Sequence, residues 1–407
     1  MTLAADTAGT VADRRRDPTK KNVLLLALCQ ALSMSGNSVI ITVSALVGFS
    51  LATDKSLATL PVAIQFTFTM VGAFPAAFLM RRIGRRAGFS VGAVLGIAGG
   101  LIGAWAIWEA DFWLFMAASI PMGLFNSFVQ YYRFAAADTA SEAFKPKAIS
   151  LVLAGGVVAA VAGPELAKWS RDLFAPVLFA GSYLAIAALA VVVLGLLQFI
   201  EIPRLTAAQR ADHGRPLGVI ARQPTFIVAV LSAAIGYGVM SLVMTATPLA
   251  MVDCGFDFDT AAFVIQWHAL AMFVPSFFTG SLIARFGATR IILVGAVLNG
   301  LCLAINLTGV EFLQFWSALV LLGLGWNFMF IGGTTLATET YSPSERAKTQ
   351  ALNDFLVFTT VAVAAFSSGA LHSSLGWVAV NLGVAPPLML AAAAVVWLHL
   401  RRTAAPA

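Results

Sequence analysis

Apolar runs of about twenty residues recur along the whole of this chain, and a run of that length is what a helix needs to cross the hydrocarbon core of a bilayer. The 407 residues are 59% hydrophobic and only 11% charged. An average soluble domain carries roughly 25% charged residues, and so few charges could not keep a soluble fold of this size wet. The chain reads as an all-α membrane protein that passes the bilayer many times. Basic residues from Arg14 to Lys21 precede the first run, as in a signal peptide. That run continues from Val23 to about Leu51, too long for a cleaved segment, so a retained helix is expected. The net charge of +6 forms no patch of the kind nucleic acid would need. Cys29, Cys254 and Cys302 are odd in number and have neither paired nor metal-ligand spacing.

Between charge and turn clusters, the runs predict helices at 23–50, 57–80, 88–108, 112–136, 148–167 and 175–199. A polar stretch follows from Glu201 to Pro224. Six more helices are predicted at 225–251, 260–284, 290–309, 312–337, 350–371 and 377–399. With the N-terminus inside, 21 of the 25 Lys and Arg fall in the tails and loops of that side. Lys55, Lys168 and Arg171 fall on the other side, and Arg133 falls within a helix. This is the positive-inside bias, so both termini are expected in the cytoplasm. The expected organisation is a cytoplasmic tail (1–22), a six-helix bundle (23–200), a cytoplasmic linker (201–224), a second six-helix bundle (225–400) and a cytoplasmic tail (401–407).

One phrase is written twice. Arg82-Ile83-Gly84 and Arg285-Phe286-Gly287 stand 203 positions apart, and Val-Gly-Ala-Val-Leu at 91–95 and 294–298 keeps the same offset. Both copies fall in the turn after the second helix of a half. Ile64-Gln65-Phe66 echoes Ile265-Gln266-Trp267, Gly123-Leu124 echoes Gly323-Leu324, and Asp138 echoes Glu339. A direct repeat of six helices implies two bundles related by an axis along the membrane normal.

The turn from Arg81 to Arg86 resembles the loop signature of the major facilitator superfamily, Gly-x-x-x-Asp-Arg-x-Gly-Arg-Arg. Arg82, Gly84, Arg85 and Arg86 match it in place, and Gly280, Arg285 and Gly287 match a weaker second copy. The resemblance implies transport by alternating access, with a central cavity lined by the first, fourth, seventh and tenth helices. It implies a gating role for Arg82, Gly84, Arg85, Arg86, Arg285 and Gly287. The signature's aspartate is Arg81 in the first copy and Ala284 in the second. In the family that acid helps latch the cytoplasmic side, so here the latch must be built differently or be weaker. The stretches 123–138 and 266–280 are similar to a bacterial branch that includes riboflavin uptake proteins. That similarity implies a secondary transporter of the inner membrane taking up riboflavin or another flavin. A partial Gly-Pro motif between Gly155 and Ala167 suggests the alternative of a proton-coupled drug or metabolite exporter. A receptor that kept the fold without transporting is the second alternative.

Candidate site residues lie on the polar stripes of these helices. Asn126, Gln130 and Arg133 form an i, i+4, i+7 stripe on the fourth. An arginine at a helix centre costs ~2.5–3.5 kcal/mol on insertion scales, which calls for a cavity or a partner. The alternative is snorkelling to lipid phosphates. Gln30, Ser33 and Asn37 form a stripe on the first helix, where small polar residues also serve as helix–helix glue. Tyr237 and Ser241 mark the seventh helix, Gln266 the eighth, and Trp326, Asn327, Phe330 and Thr334 the tenth. A neutral tricyclic ring would use aromatic faces such as Trp267, Trp326, Tyr131 and Phe330, and its polyol chain would use amides. His268, the one histidine well inside a span, is a candidate for proton coupling or a satisfied interhelix contact. Embedded acids are scarce, with Glu165 and Asp354 expected close to helix ends, which argues against a site for cationic drugs. No nucleotide, metal or acyl-transfer motif is present, so neither an enzyme nor a cofactor is expected. The expected partners are the solute and the lipid bilayer, without nucleic acid, around a monomer.

Overall fold

The structure, a computed structural model, describes residues 19–54, 57, 60–203 and 214–404. Residues 1–18, 204–213 and 405–407 lie outside the described residues, so the expected tails and linker are represented only by their edges. Among the described residues, twelve helical spans follow one another. They are α1 (Thr19–Leu51), α2 (Leu60–Ile83), α3 (Arg85–Trp108), α4 (Phe112–Asp138), α5 (Lys145–Arg171) and α6 (Ala180–Leu197) in the first half. The second half has α7 (Pro224–Asp253), α8 (Thr260–Phe273 with Ser276–Phe286), α9 (Ala288–Thr308), α10 (Phe312–Thr338), α11 (Arg346–Ser368) and α12 (Ser374–Thr403). Eleven are single helices long and apolar enough to cross a membrane, and α8, bent by 40°, makes the twelfth span. The bend sits at Pro275, whose ring removes a backbone donor. A short helix, Leu217–Ala221, precedes α7.

The predicted helices are all present; most run further than the apolar runs at one end or both, while α6 is shorter, Ala180–Leu197 against 175–199. Arg81 and Arg82 lie in the last turn of α2, and Arg85 and Arg86 open α3. A loop was expected there, and a single residue, Gly84, separates the two helices. Hydropathy marks only the hydrocarbon layer, whereas backbone hydrogen bonding continues into the headgroup zone wherever side chains can reach water. Gly84 has φ 93° and ψ 161°, and Gly287 has φ 85° and ψ 151°. Both values fall in a region that side-chain-bearing residues avoid, so the glycines allow α2–α3 and α8–α9 to turn in one step.

The written repeat is a structural repeat. Gly123 of α4 lies against α2 so closely that a Cβ there would fall 2.4 Å from the Gln65 carbonyl. Gly323 of α10 lies against α8, with the His268 carbonyl 2.7 Å from the same added atom. Each half has its own core. Phe89 and Tyr132 meet edge to face in the first, with centroids 4.8 Å apart, and Phe315, Met329 and Val243 are buried in the second.

Between the halves, α2 packs on α11 and α5 packs on α8 and α10. The repeat exchanges α2 with α8 and α5 with α11, so the two main contacts are equivalent. They lie near mid-span or on the side where α1 begins and α12 ends, the terminal side. Phe74 meets Phe355 at 5.6 Å between centroids, and the Thr359 hydroxyl donates to Met70 Sδ at 3.2 Å. The Gly280 N–H donates to Ser150 Oγ at 3.0 Å, and the Ser150 hydroxyl reaches the Ser276 carbonyl. The bundles are thus closed together on the terminal side.

Candidate functional site

Arg133 lies just beyond a break in α4 at Gln130 and Tyr131, and its side chain is 2% exposed. Its guanidinium sits between the rings of Phe134 and Phe330, 4.7 and 4.8 Å from their centroids. Nη1 donates to Gln130 Oε1 at 3.0 Å, and Nη2 to Asp354 Oδ1 of α11 at 2.5 Å. The side chain therefore runs between the two bundles and does not snorkel. Asp354 is itself 1% exposed and accepts a further bond from Asn353 Nδ2 at 2.9 Å. The expectation that Asp354 lies close to a helix end is corrected. Because α11 begins at Arg346 and not at 350, the carboxylate stands more than two turns inside the helix. The acid is embedded, but Arg133 holds its charge, so it offers no free carboxylate to a cation. Removing one partner of such a pair costs ~3–5 kcal/mol, because the other charge is left buried.

Phe330 joins this ion pair to an aromatic cluster. Trp326 and Phe330 stack at 5.1 Å, and Tyr237 of α7 sets its edge against both at 5.3 Å. Phe358 and Phe273 complete the cluster at 5.9 Å from Tyr237 and 5.5 Å from Trp326. Among the described residues, the indole Nε1–H of Trp326 is buried without an acceptor. Trp326 and Phe330 are each 2% exposed, so in this conformation the rings cover one another's faces and the indole N–H is the donor left over.

The first half contributes amides. Gln65 Nε2 donates to Asn37 Oδ1 at 2.7 Å, and Asn126 Nδ2 lies 3.4 Å from Thr69 Oγ1. Asn37, Gln65 and Asn126 line one cleft with Ser33 and Phe125, about 350 Å³ with its open mouth included. Gln65 was absent from the expected set, although the Ile-Gln-aromatic echo carried a signal for it. Gln30 is buried in α1. Tyr237, Trp326, Gln130 and Arg133 are thus brought together, and Asn37 and Asn126 form a second group.

Other expected positions are placed elsewhere. Gln266 is exposed on α8, and its neighbour Trp267 packs on Phe263 and Trp316. Asn327 is fully buried, but its amide donates to the Met272 carbonyl and Ser276 Oγ, both at 2.6 Å, and accepts from Thr279 Oγ1 at 2.6 Å. It ties α10 to the bend of α8. His268 is fully buried, with Nδ1 2.8 Å from the Leu319 carbonyl, which assigns the ring N–H to that nitrogen.

The latch on the terminal side is built around Asp138, at the end of α4. Arg85 Nε and Arg346 Nη1 reach its Oδ2 at 3.1 and 2.8 Å, one from each bundle. Arg85 Nη2 also donates to Gln350 Oε1 at 2.6 Å. Arg86 is bound to Gln198, Arg82 is exposed, and Arg285 stacks on Phe286 at 5.1 Å. The second-half echo of Asp138, Glu339, pairs instead with Arg402 of its own bundle at 2.8 Å. Nearby, Glu345 holds Arg215 through two contacts of 2.7 Å and accepts from the Ser342 N–H at 2.9 Å. The Arg215 guanidinium keeps the Glu345 carboxyl well below the usual carboxylate range. Arg346, Gln350 and Asp354 were missed as site residues because nothing local links them to α3 and α4.

The family model described as Major Facilitator Superfamily matches residues 26–265 and 229–407. The sequence is 44% identical over 373 residues to the riboflavin transporter RfnT of Brucella anthropi, covering 91% of this chain and 94% of that protein. It is 30% identical over 391 residues to the uncharacterized MFS-type transporter YdeG of Bacillus subtilis, covering 91% and 90% of the two chains. Among solved structures, the fold is similar to the transporter FucP in its outward conformation, at a TM-score of 0.74 and 18% identity over 95% of this chain and 99% of that one. The human organic anion transporter MFSD10 matches at a TM-score of 0.75 and 14% identity, over 93% and 99%.

Proposed function

The chain belongs to the major facilitator superfamily, and from that premise we propose that this multi-pass membrane transporter takes up riboflavin by alternating access. The observation that carries this reading is the 44% identity to a riboflavin transporter over 91% of the chain. The site supports it chemically. Trp326, Phe330 and Tyr237, which here pack on one another, offer faces to a flat tricyclic ring once they part, and Arg133, Gln130 and the Trp326 indole offer donors for its carbonyl edge. Asn37, Gln65 and Asn126 offer amides for the hydroxyls of the ribityl chain.

On this reading the protein is a monomer in the inner membrane with its terminal side in the cytoplasm, as the Lys and Arg distribution favours. Closure on the terminal side leaves the site loading from the opposite face. For the solute to leave inwards, α4 and α11 must part, which separates Arg133 from Asp354. Doing so with an empty site exposes two uncompensated buried charges. A bound ring that accepts hydrogen bonds from Arg133 offsets part of that cost, and in this way loading is coupled to opening.

The direct test is quenching of riboflavin fluorescence by the purified protein in detergent. Saturable quenching is expected, with an affinity at least tenfold weaker for Trp326→Ala. Absence of quenching by a monodisperse wild-type sample would sink the riboflavin assignment.

A further inference from the structure

Around the Arg133–Asp354 ion pair, one carboxylate oxygen is fully engaged and the other is not. Asp354 Oδ1 accepts from Arg133 Nη2 at 2.5 Å and from Asn353 Nδ2 at 2.9 Å. Among the described residues, Asp354 Oδ2 has no donor, Arg133 Nε has no acceptor, and Asn353 Oδ1 has no donor. All three residues are buried. About nine in ten buried polar groups in native proteins have a partner. One donor and two acceptors left over on three side chains already joined by hydrogen bonds therefore point to a ligand that supplies the complement.

The pair stands where such a ligand would arrive. Arg133 comes from α4 and Asp354 from α11, the two helices that must part for the solute to leave inwards. Phe330 lies on the guanidinium at 4.8 Å and stacks on Trp326 at 5.1 Å, so the pair adjoins the aromatic cluster. A flat ring that enters the cluster brings an edge towards the pair. In a flavin, the pyrimidine edge is an imide, which presents a carbonyl, an N–H and a second carbonyl in a row. Arg133 can donate to the carbonyls, but a guanidinium has nothing to accept from the N–H. A carboxylate only accepts, and so it is the complement.

We propose that Asp354 is a specificity-determining residue, whose Oδ2 accepts the imide N–H of the solute while Arg133 Nε donates to an adjoining carbonyl. This rests on the riboflavin reading and narrows it to solutes with an unsubstituted cyclic imide. As α4 and α11 part, one neutral ring then partners both charges, the guanidinium through a carbonyl and the carboxylate through the N–H. A flat ring with carbonyls alone leaves Asp354 buried and unpaired, which is costly for a charged group. The solute is thus selected by the same exchange of partners that opens the terminal side.

The test is quenching of flavin fluorescence by the purified full chain in detergent. Riboflavin is compared with riboflavin methylated on the imide nitrogen, which keeps the ring, the carbonyls and the ribityl chain. The methylated flavin is expected to bind at least about tenfold more weakly, the scale of a lost hydrogen bond to a charged group. The methyl group also adds bulk, and Asp354→Asn separates the two effects. In that variant riboflavin should lose about tenfold and the methylated flavin little, because only riboflavin made the bond. Arg133→Gln/Asp354→Asn removes both charges together, so no buried charge is left unpaired if the single variant does not fold, and the preference should vanish there too. Equal binding of the two flavins by wild type would overturn the proposal while leaving riboflavin as the solute. A full preference that persists without the carboxylate would overturn it as well, since the site would then be rejecting bulk. Failure of folded wild type to bind riboflavin would remove the riboflavin reading and this proposal with it.

Discussion

At the scale of single residues, the centre of the molecule depends on one guanidinium with several simultaneous partners. Arg133 donates to Gln130 and Asp354 and lies between Phe134 and Phe330. An ammonium has the charge but not the planar fork, so it cannot reproduce that set. Arg133→Lys is expected to lower the initial transport rate by about tenfold while the protein stays folded. Asp354→Asn leaves the arginine unpaired and should destabilise the closed state by ~3–5 kcal/mol, visible as a lower unfolding midpoint. The exchange Arg133→Asp/Asp354→Arg should recover part of that loss. His268 has a different expectation. Its Nδ1 bond to the Leu319 carbonyl joins α8 to α10, so His268→Gln should leave the pH profile of uptake unchanged. A flattened profile would instead make it a proton carrier. Arg133 was legible as a candidate because a lone basic residue on an amide stripe has a physical cost. Its partner was not, since Asp354 lies 221 positions away and no local pattern encodes that pairing. Asn327 illustrates the converse: its residue type and spacing fit a cavity wall, but the bend of α8 supplies partners for its whole amide.

At the scale of elements, the turns and the linker carry separate expectations. Gly287 has open space around its missing Cβ, so Gly287→Ala tests the backbone angle alone. A loss of ~1–3 kcal/mol in stability is expected for a side chain forced into that region, and a neutral result would remove the angle as the reason for glycine. Gly84→Val should slow transport strongly at a near-normal membrane level, because α2 and α3 must pivot at one residue. The Glu345–Arg215 pair fastens the edge of the linker to the start of α11. Its carboxyl is held below the ordinary range, so the stabilisation is complete above that range and is lost only as pH falls through the lowered value. Stability due to this pair should therefore be flat from pH 5 to 8. Glu345→Gln should melt earlier than wild type at pH 7, and the gap should narrow in strong acid. Helix number and order were readable from apolar runs, because the bilayer fixes the length of each span. Helix ends were not, because backbone hydrogen bonding does not stop at the apolar boundary, and that displacement hid Asp354 inside α11.

At the scale of the whole molecule, the duplicated phrase around Gly84 and Gly287 announced two equivalent halves, and the paired contacts of α2 with α11 and α5 with α8 are its structural expression. Which side closes could not be read from the repeat, since a parallel pair of bundles can meet at either end. The closing groups are individual: Asp138 with Arg85 and Arg346 in one place, and Gly280 on Pro146 and Lys147 in the other. On the proposed reading, the protein loads riboflavin on one side and opens to the other by parting α4 from α11. The most direct measurement is uptake of labelled riboflavin by a riboflavin auxotroph that lacks its own transporter and expresses this chain at low external vitamin. Uptake well above the empty-vector level is expected, with growth restored, and Arg133→Lys should reduce it by about tenfold. Uptake no higher than the vector control, with the protein present in the membrane, would contradict riboflavin transport.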